Sequence, residues 1–252
     1  TGIVMTFKSN ENPMFRSKFS EDIFKQKYAH EGCYTWSDLA DTLAKDVCGG
    51  LLKKDEVQQL TKIMQELKFI PGGRYLYYAG RPNKFFNNCY LLRAEEDTRE
   101  DWSNLSWKSE SCLMTGGGIG IDYSVYRPEG SGLSKTGGWA SGPIPKMQMI
   151  NEIGRRVMQG GSRRSAIYAS LNWKHRDVET FLASKNWYDM PVGSTGFSVG
   201  QVKEQDFNFH APLDMTNISV NYDTEWLLNY WDTGEIGDVF RTNVRQALRT
   251  AE

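Results

Sequence analysis

Between residues 12 and 67 the apolar positions return every three to five residues: Phe15, Phe19, Ile23 and Phe24, then Trp36, Leu39, Leu43 and Val47, then Val57, Leu60, Ile63, Met64 and Leu67. That period places each set on one face of an α-helix, with Gly49-Gly50 ending the second helix. The pattern predicts a helical lobe over residues 1–70, closed by Pro71-Gly72-Gly73.

From residue 71 to 252 the pattern shifts to short apolar runs separated by glycine-containing loops. The runs 75–79, 89–92, 119–123, 166–171, 196–202 and 218–220 predict strands. Helical spacing recurs at 99–113, 146–158, 178–182, 224–230 and 239–251. Strands alternating with helices favour parallel pairing and an α/β architecture. No internal repeat or low-complexity tract interrupts this order.

A chain of 252 residues can bury a substantial core. Its formal net charge of −1 argues against a general nucleic-acid or membrane-surface binder, so any basic site must be local. The apolar runs are too short to span a bilayer, and residues 1–12 lack the blocks of a signal peptide, so a cytoplasmic protein is expected. Cys33, Cys48, Cys89 and Cys112 form no CxxC pair, and with His30, His175 and His210 scattered there is no zinc-like ligand set. Free thiols are expected.

Three stretches invite chemistry. Cys89, between Asn88 and Tyr90, sits on an apolar run that should be buried on at least one face; a cysteine there is either core filler or a redox thiol. The second is 115–122, whose glycines permit positive φ or close approach to a ligand. It is neither a dinucleotide fingerprint, since Ile121 stands where glycine is needed, nor a P-loop, since no Gly-Lys-Ser/Thr follows. Tight packing and ligand contact both remain open for it. The third, Gln159 to Ser165, holds Arg163 and Arg164 beside Gly160-Gly161; the arginines can meet phosphate bidentately and Gln159 can read a base edge. Equally, this is a solvated turn. Residues 127–138 are expected as a loop, Asp97 as a helix N-cap or an acceptor for sugar hydroxyls, and His175 as a hydrogen-bonded structural residue.

In their order these residues resemble the catalytic subunit of ribonucleotide reductase. The pieces are Pro71-Gly72-Gly73-Arg74 with Ala79-Gly80, Asn88-Cys89, Gly117-Gly118-Ile119-Gly120, Arg127-Pro128-Glu129-Gly130-Ser131, Ser141-Gly142-Pro143, Gln159-Gly160-Gly161 with Arg163-Arg164, and Leu171-Asn172-Trp173-Lys174-His175. The resemblance implies a helical lobe followed by the first half of a ten-stranded α/β barrel, and thiyl-radical removal of the ribose 2′-hydroxyl. It makes Cys89 one half of the redox pair that a thioredoxin-like dithiol would re-reduce, and Arg74, Asn88, Cys89 itself, Gly117 and Gly118 contacts to a ribonucleotide substrate. Many relatives carry serine where Asn88 stands. It also implies an allosteric site for a deoxynucleotide or ATP: Asp97 and Thr98 for the sugar, Arg127, Ser134 and Lys135 for phosphates, and Gln159, Arg163 and Arg164 on a second loop linking effector base to substrate base.

Because the resemblance begins at Phe15, it leaves no room ahead of it for the ATP-binding cone of oxygen-dependent relatives, and the expected cofactor is adenosylcobalamin. The family's radical cysteine lies in an Asn-x-Cys-x-Glu motif that does not occur here, so the expectation is an N-terminal portion that needs the C-terminal half to turn over. No metal site, nucleic-acid contact or membrane contact is expected. Two other readings stand beside this one: a nucleotide-binding regulatory module without catalysis, and a glycyl-radical enzyme of related fold.

Overall fold

A computed structural model describes residues 15–157 and 165–250. The chain divides into two compact units, one ending at Asn88 and the other beginning at Cys89.

The first unit is helical: α1 (Lys18–Lys27), α2 (Trp36–Cys48), α3 (Lys54–Gln65) and α4 (Gly73–Tyr78). Thr35 and Asp38 form a reciprocal capping box at the start of α2, satisfying two backbone N–H groups that the helix leaves open. Phe24, Trp36, Leu39, Leu43 and Met64 meet in the core, and the indole Nε1 of Trp36 donates to the Met64 carbonyl at 2.8 Å. The strand expected at 75–79 is instead α4. Its buried residues, Leu76 and Ala79, are three apart, so helical packing overrides the strand preference of its tyrosines.

The second unit is built on a four-stranded parallel sheet in sequential order: β1 (Cys89–Arg93), β2 (Gly118–Asp122), β3 (Ile167–Asn172) and β4 (Thr216–Asn221). Helices α5 (Arg99–Met114) and α6 (Pro143–Arg156) form the first two crossovers. Helix α7 (Val178–Ala183), a 3₁₀ turn (Trp187–Asp189) and α8 (Val199–Gln205) connect β3 to β4, and α9 (Thr224–Thr233) and α10 (Gly237–Thr250) follow. Ile119, Ile121, Ile167, Ala169 and Leu171 bury one sheet face against Leu105, Leu113, Met147, Ile150 and Phe181 of the helices.

The strand expected at 196–202 is a turn leading into α8. Gly196 has φ of +78°, and Ser198 and Gln201 exchange hydrogen bonds in a capping box, a Ser-x-x-Gln signal that fixes a helix start. The helical lobe followed by parallel α/β structure is as the sequence predicts.

Candidate functional site

Alternation along β1 sends Cys89, Leu91 and Arg93 to the sheet face opposite the helices, while Tyr90 and Leu92 face the core. The Cys89 thiol is free and exposed, and Leu91 is 84% exposed. The run expected to be buried on at least one face is thus covered on its core side alone, where Tyr90 and Leu92 are partly buried. Register pairs Cys89 with Gly118 and Leu91 with Gly120. A Cβ at Gly118 would lie 3.7 Å from the Cys89 sulfur and 3.3 Å from the Ala166 Cβ, so glycine leaves room beside the thiol.

Gly116 and Gly117 have local explanations. Gly116 takes φ of +82° after α5, its N–H bonding the Leu113 carbonyl while that of Gly117 bonds the Cys112 carbonyl, which is the Schellman pattern of helix termination. A Cβ at Gly117 would fall 2.4 Å from a Tyr90 ring carbon, so packing requires glycine there.

Towards the strand ends the same open face becomes polar. Asp122 accepts from the Ser170 hydroxyl at 2.7 Å and from Asn221 Nδ2 at 2.5 Å, and Asn221 also reaches Ser170 at 3.0 Å. The sequence reading missed this network. Its signal is a polar residue at outward positions of β2, β3 and β4, visible once strand register is known.

Arg74 and Asn88 belong to the first unit, where Arg74 Nε donates to Asn88 Oδ1 at 3.3 Å and its Nη1 to the Phe85 carbonyl at 3.2 Å.

Within the second unit, Asp97, Thr98, Arg127, Ser134 and Lys135 line a single cavity of about 880 Å³. Three local structures place them. Thr98, rather than Asp97, is the N-cap of α5, its hydroxyl accepting from the Asp101 N–H at 3.2 Å. Asp97 instead takes the backbone N–H of Arg127 at 3.1 Å and its Nε at 2.5 Å on one carboxylate oxygen, Oδ2. The third is a hairpin across residues 130–140, in which the Gly130 N–H bonds the Ala140 carbonyl at 2.9 Å and the Ala140 N–H bonds the Ser131 carbonyl at 2.7 Å. Ser134 and Lys135 stand near its tip, where Gly137 and Gly138 have φ of +72° and +81°. Lys135 lies close enough to Glu100 to help hold that carboxyl below its ordinary range, after the larger effect of the bond from Arg99.

Aromatic residues complete the cavity: Trp102 and Tyr126 below, with ring centroids 4.7 Å apart, and Trp139 on the hairpin. Burial, reinforced by Asp101 and Asp97, pushes the Tyr126 phenol well above its ordinary range. None of the three was singled out from sequence, because isolated aromatics carry no motif. Gln159, Arg163 and Arg164 lie outside the described residues.

Two charged groups hold the cavity's supporting helices. Lys146 of α6 is fully buried, donating to the Trp102 carbonyl at 2.7 Å and to the Ser106 hydroxyl, with its ammonium 5.0 Å from the Trp102 ring centroid. Burial lowers its pKa to about 8. At the other end of α6, the buried carboxylate of Asp214 receives Arg155 at 2.5 Å, Asn151 at 3.1 Å and Lys203 at 3.3 Å. Burial alone would raise its pKa, but the bonds from Arg155, Asn151 and the Ala211 N–H outweigh that and hold it at about 2. His175 bonds the Tyr126 carbonyl through Nε2 at 2.7 Å and accepts the Asp177 N–H at Nδ1, the structural role expected for it.

Among the described residues no group of three or more His, Cys, Asp or Glu side chains is arranged to hold a metal ion, and no helix is long and apolar enough to cross a membrane.

Comparison with known proteins gives concordant matches. Residues 87–194 match the model of the ribonucleotide reductase barrel domain. A vitamin B12-dependent ribonucleoside-diphosphate reductase of Thermoplasma acidophilum is 27% identical over 197 residues, covering 78% of this chain and 25% of that protein. One from Mycobacterium tuberculosis is 29% identical over 143 residues, covering 57% of this chain and 20% of its own length. In structure, the chain is similar to the alpha subunit of an Actinobacillus ureae class Id ribonucleotide reductase, with a TM-score of 0.70 at 13% identity over 94% of this chain and 39% of that one. The chain thus spans about a quarter of the length of these curated relatives.

Proposed function

We propose that this chain, which resembles ribonucleotide reductase large subunits over most of its length, is the part of such an enzyme that carries one redox thiol and the site for an allosteric nucleotide. The observation that carries this reading is the convergence of Asp97, Thr98, Arg127, Ser134 and Lys135 on one cavity. A volume of about 880 Å³ accommodates a nucleotide, and an acidic acceptor beside two cations suits a sugar hydroxyl next to phosphates.

In this reading the reaction is reduction of a ribonucleoside diphosphate, the substrate class printed in the relatives' names. Cys89 and a second thiol, from the remainder of the enzyme, give two electrons and two protons. The ribose C2′–OH becomes C2′–H, the hydroxyl leaves as water, and the two sulfurs join as a disulfide. An external dithiol of the thioredoxin kind restores both thiols. The exposed Cys89 and the bare backbone of Gly118 support this role by keeping one side of the sulfur open. Arg74, Asn88, Gly117 and Gly118 are proposed substrate contacts. The described residues do not assemble a cradle for a corrin: His30 and His175 are engaged with backbone carbonyls, and the sheet face around Cys89 is open. Adenosylcobalamin is therefore carried from the relatives' names, and no step here runs through it.

Nucleotide in the cavity would bias the choice of substrate; such coupling is typically about 1 to 3 kcal/mol, enough to rank competing substrates. Four free cysteines are in keeping with a cytoplasmic enzyme. The test is reconstitution: this chain with the remainder of such an enzyme, adenosylcobalamin and a dithiol should reduce ribonucleoside diphosphate, and this chain alone should not. Turnover by the 252-residue chain alone would contradict the reading.

A further inference from the structure

Trp139 is 76% exposed although its backbone is firmly held. It pairs with Gly132 across the 130–140 hairpin, and the bonds on either side, Leu133 N–H to the Gly138 carbonyl at 3.0 Å and Ala140 N–H to the Ser131 carbonyl at 2.7 Å, fix the point from which the indole projects. A large apolar ring on a rigid mount, uncovered and at the edge of a cavity, is available to a planar partner.

The rest of the cavity states what else that partner carries. Arg127 and Lys135 favour an anion. The two bonds from Arg127 to the Asp97 carboxylate both fall on Oδ2, and its third goes to the Asp97 carbonyl, leaving Oδ1 to accept from a hydroxyl. Anion, hydroxyl and flat ring together describe a nucleotide. We propose that Trp139 is the platform on which the nucleobase of the bound nucleotide stacks, so that base recognition begins on this hairpin. The proposal rests on the reading of the cavity as a nucleotide site and adds to it a residue and a contact.

Equilibrium binding to the full chain tests it, with dATP and inorganic tripolyphosphate as probes. Base stacking on an aromatic side chain predicts that Trp139→Ala weakens dATP binding by about tenfold or more, that Trp139→Phe stays within about threefold of the parent, and that tripolyphosphate binding is unchanged in both. An unchanged affinity of Trp139→Ala for dATP, or an equal loss for tripolyphosphate, would overturn the proposal. Arg127→Gln separates the two levels. If it weakens dATP binding while Trp139→Ala does not, only the stacking role fails; if neither does, the nucleotide site fails with it. Reduced self-association of Trp139→Ala in sedimentation, with dATP affinity intact, would make the indole an interface residue and also overturn the proposal.

Discussion

Arg127 grips Asp97 through both backbone and side chain, its N–H and Nε reaching the same carboxylate oxygen at 3.1 and 2.5 Å. The pair joins the segment after β1 to the segment after β2, so two loops distant in sequence share one wall of the cavity. On the proposed nucleotide reading, Asp97→Ala removes a sugar acceptor and leaves the Arg127 guanidinium only the carbonyl of residue 97. Deoxynucleotide binding should weaken by about tenfold or more, with substrate binding changed far less. Calorimetric titration of both ligands checks this; equal effector affinity in the mutant contradicts the assignment.

Lys146 makes stability depend on pH in the alkaline range. Its pKa falls from 10.5 in the unfolded chain to about 8 in the folded one, so between these values the unfolded state binds more protons. Stability should rise as pH is raised from about 8 towards 10.5. Lys146→Met, which removes the buried charge, should flatten that rise and stabilise the protein near neutral pH by about 1 to 3 kcal/mol. Urea denaturation at several pH values measures both; a parallel pH profile in the mutant would count against the buried amine as its source.

Asp214 acts at the acid end. Its folded pKa of about 2 lies below the ordinary 3.8, so its contribution is fully present above 3.8 and is lost as pH falls through about 2. Asp214→Asn removes the buried carboxylate that Arg155 and Lys203 share, leaving Arg155 only Glu152, and should cost about 3 to 5 kcal/mol. The variant should also lose part of the acid-dependent fall in melting temperature, which thermal scans across that range would show.

Gly117 separates packing from ligand contact. Gly117→Ala forces a methyl against the Tyr90 ring and should destabilise by about 1 to 3 kcal/mol. Adding Tyr90→Leu should recover much of that loss in a double-mutant cycle. Additive effects would mean that the ring is not what demands glycine.

The periodic elements were legible because their burial follows their period: Trp36, Leu39 and Leu43 recur on one face of α2, and Ile119 and Ile121 on one face of β2. The two misread stretches each mix strand-favouring residues with a stronger local cue. At Leu76 and Ala79 helical packing prevails over tyrosine propensity, and at Ser198 and Gln201 the capping box prevails over the apolar run. The site was legible in part. The motif residues Asp97, Thr98, Arg127, Ser134 and Lys135 converge, whereas Trp102, Tyr126 and Trp139 join them only through tertiary folding. The network of Asp122, Ser170 and Asn221 depends on strand register, which a single sequence does not specify.

The central proposal is that Cys89 is a redox thiol of a ribonucleotide reductase, and multiple-turnover kinetics of Cys89→Ser in the enzyme completed by its remaining portion tests it most directly. The account predicts that sustained deoxyribonucleotide formation with a dithiol falls by at least about a hundredfold, while substrate and effector bind within about twofold of the parent. Unchanged sustained turnover in Cys89→Ser would contradict it.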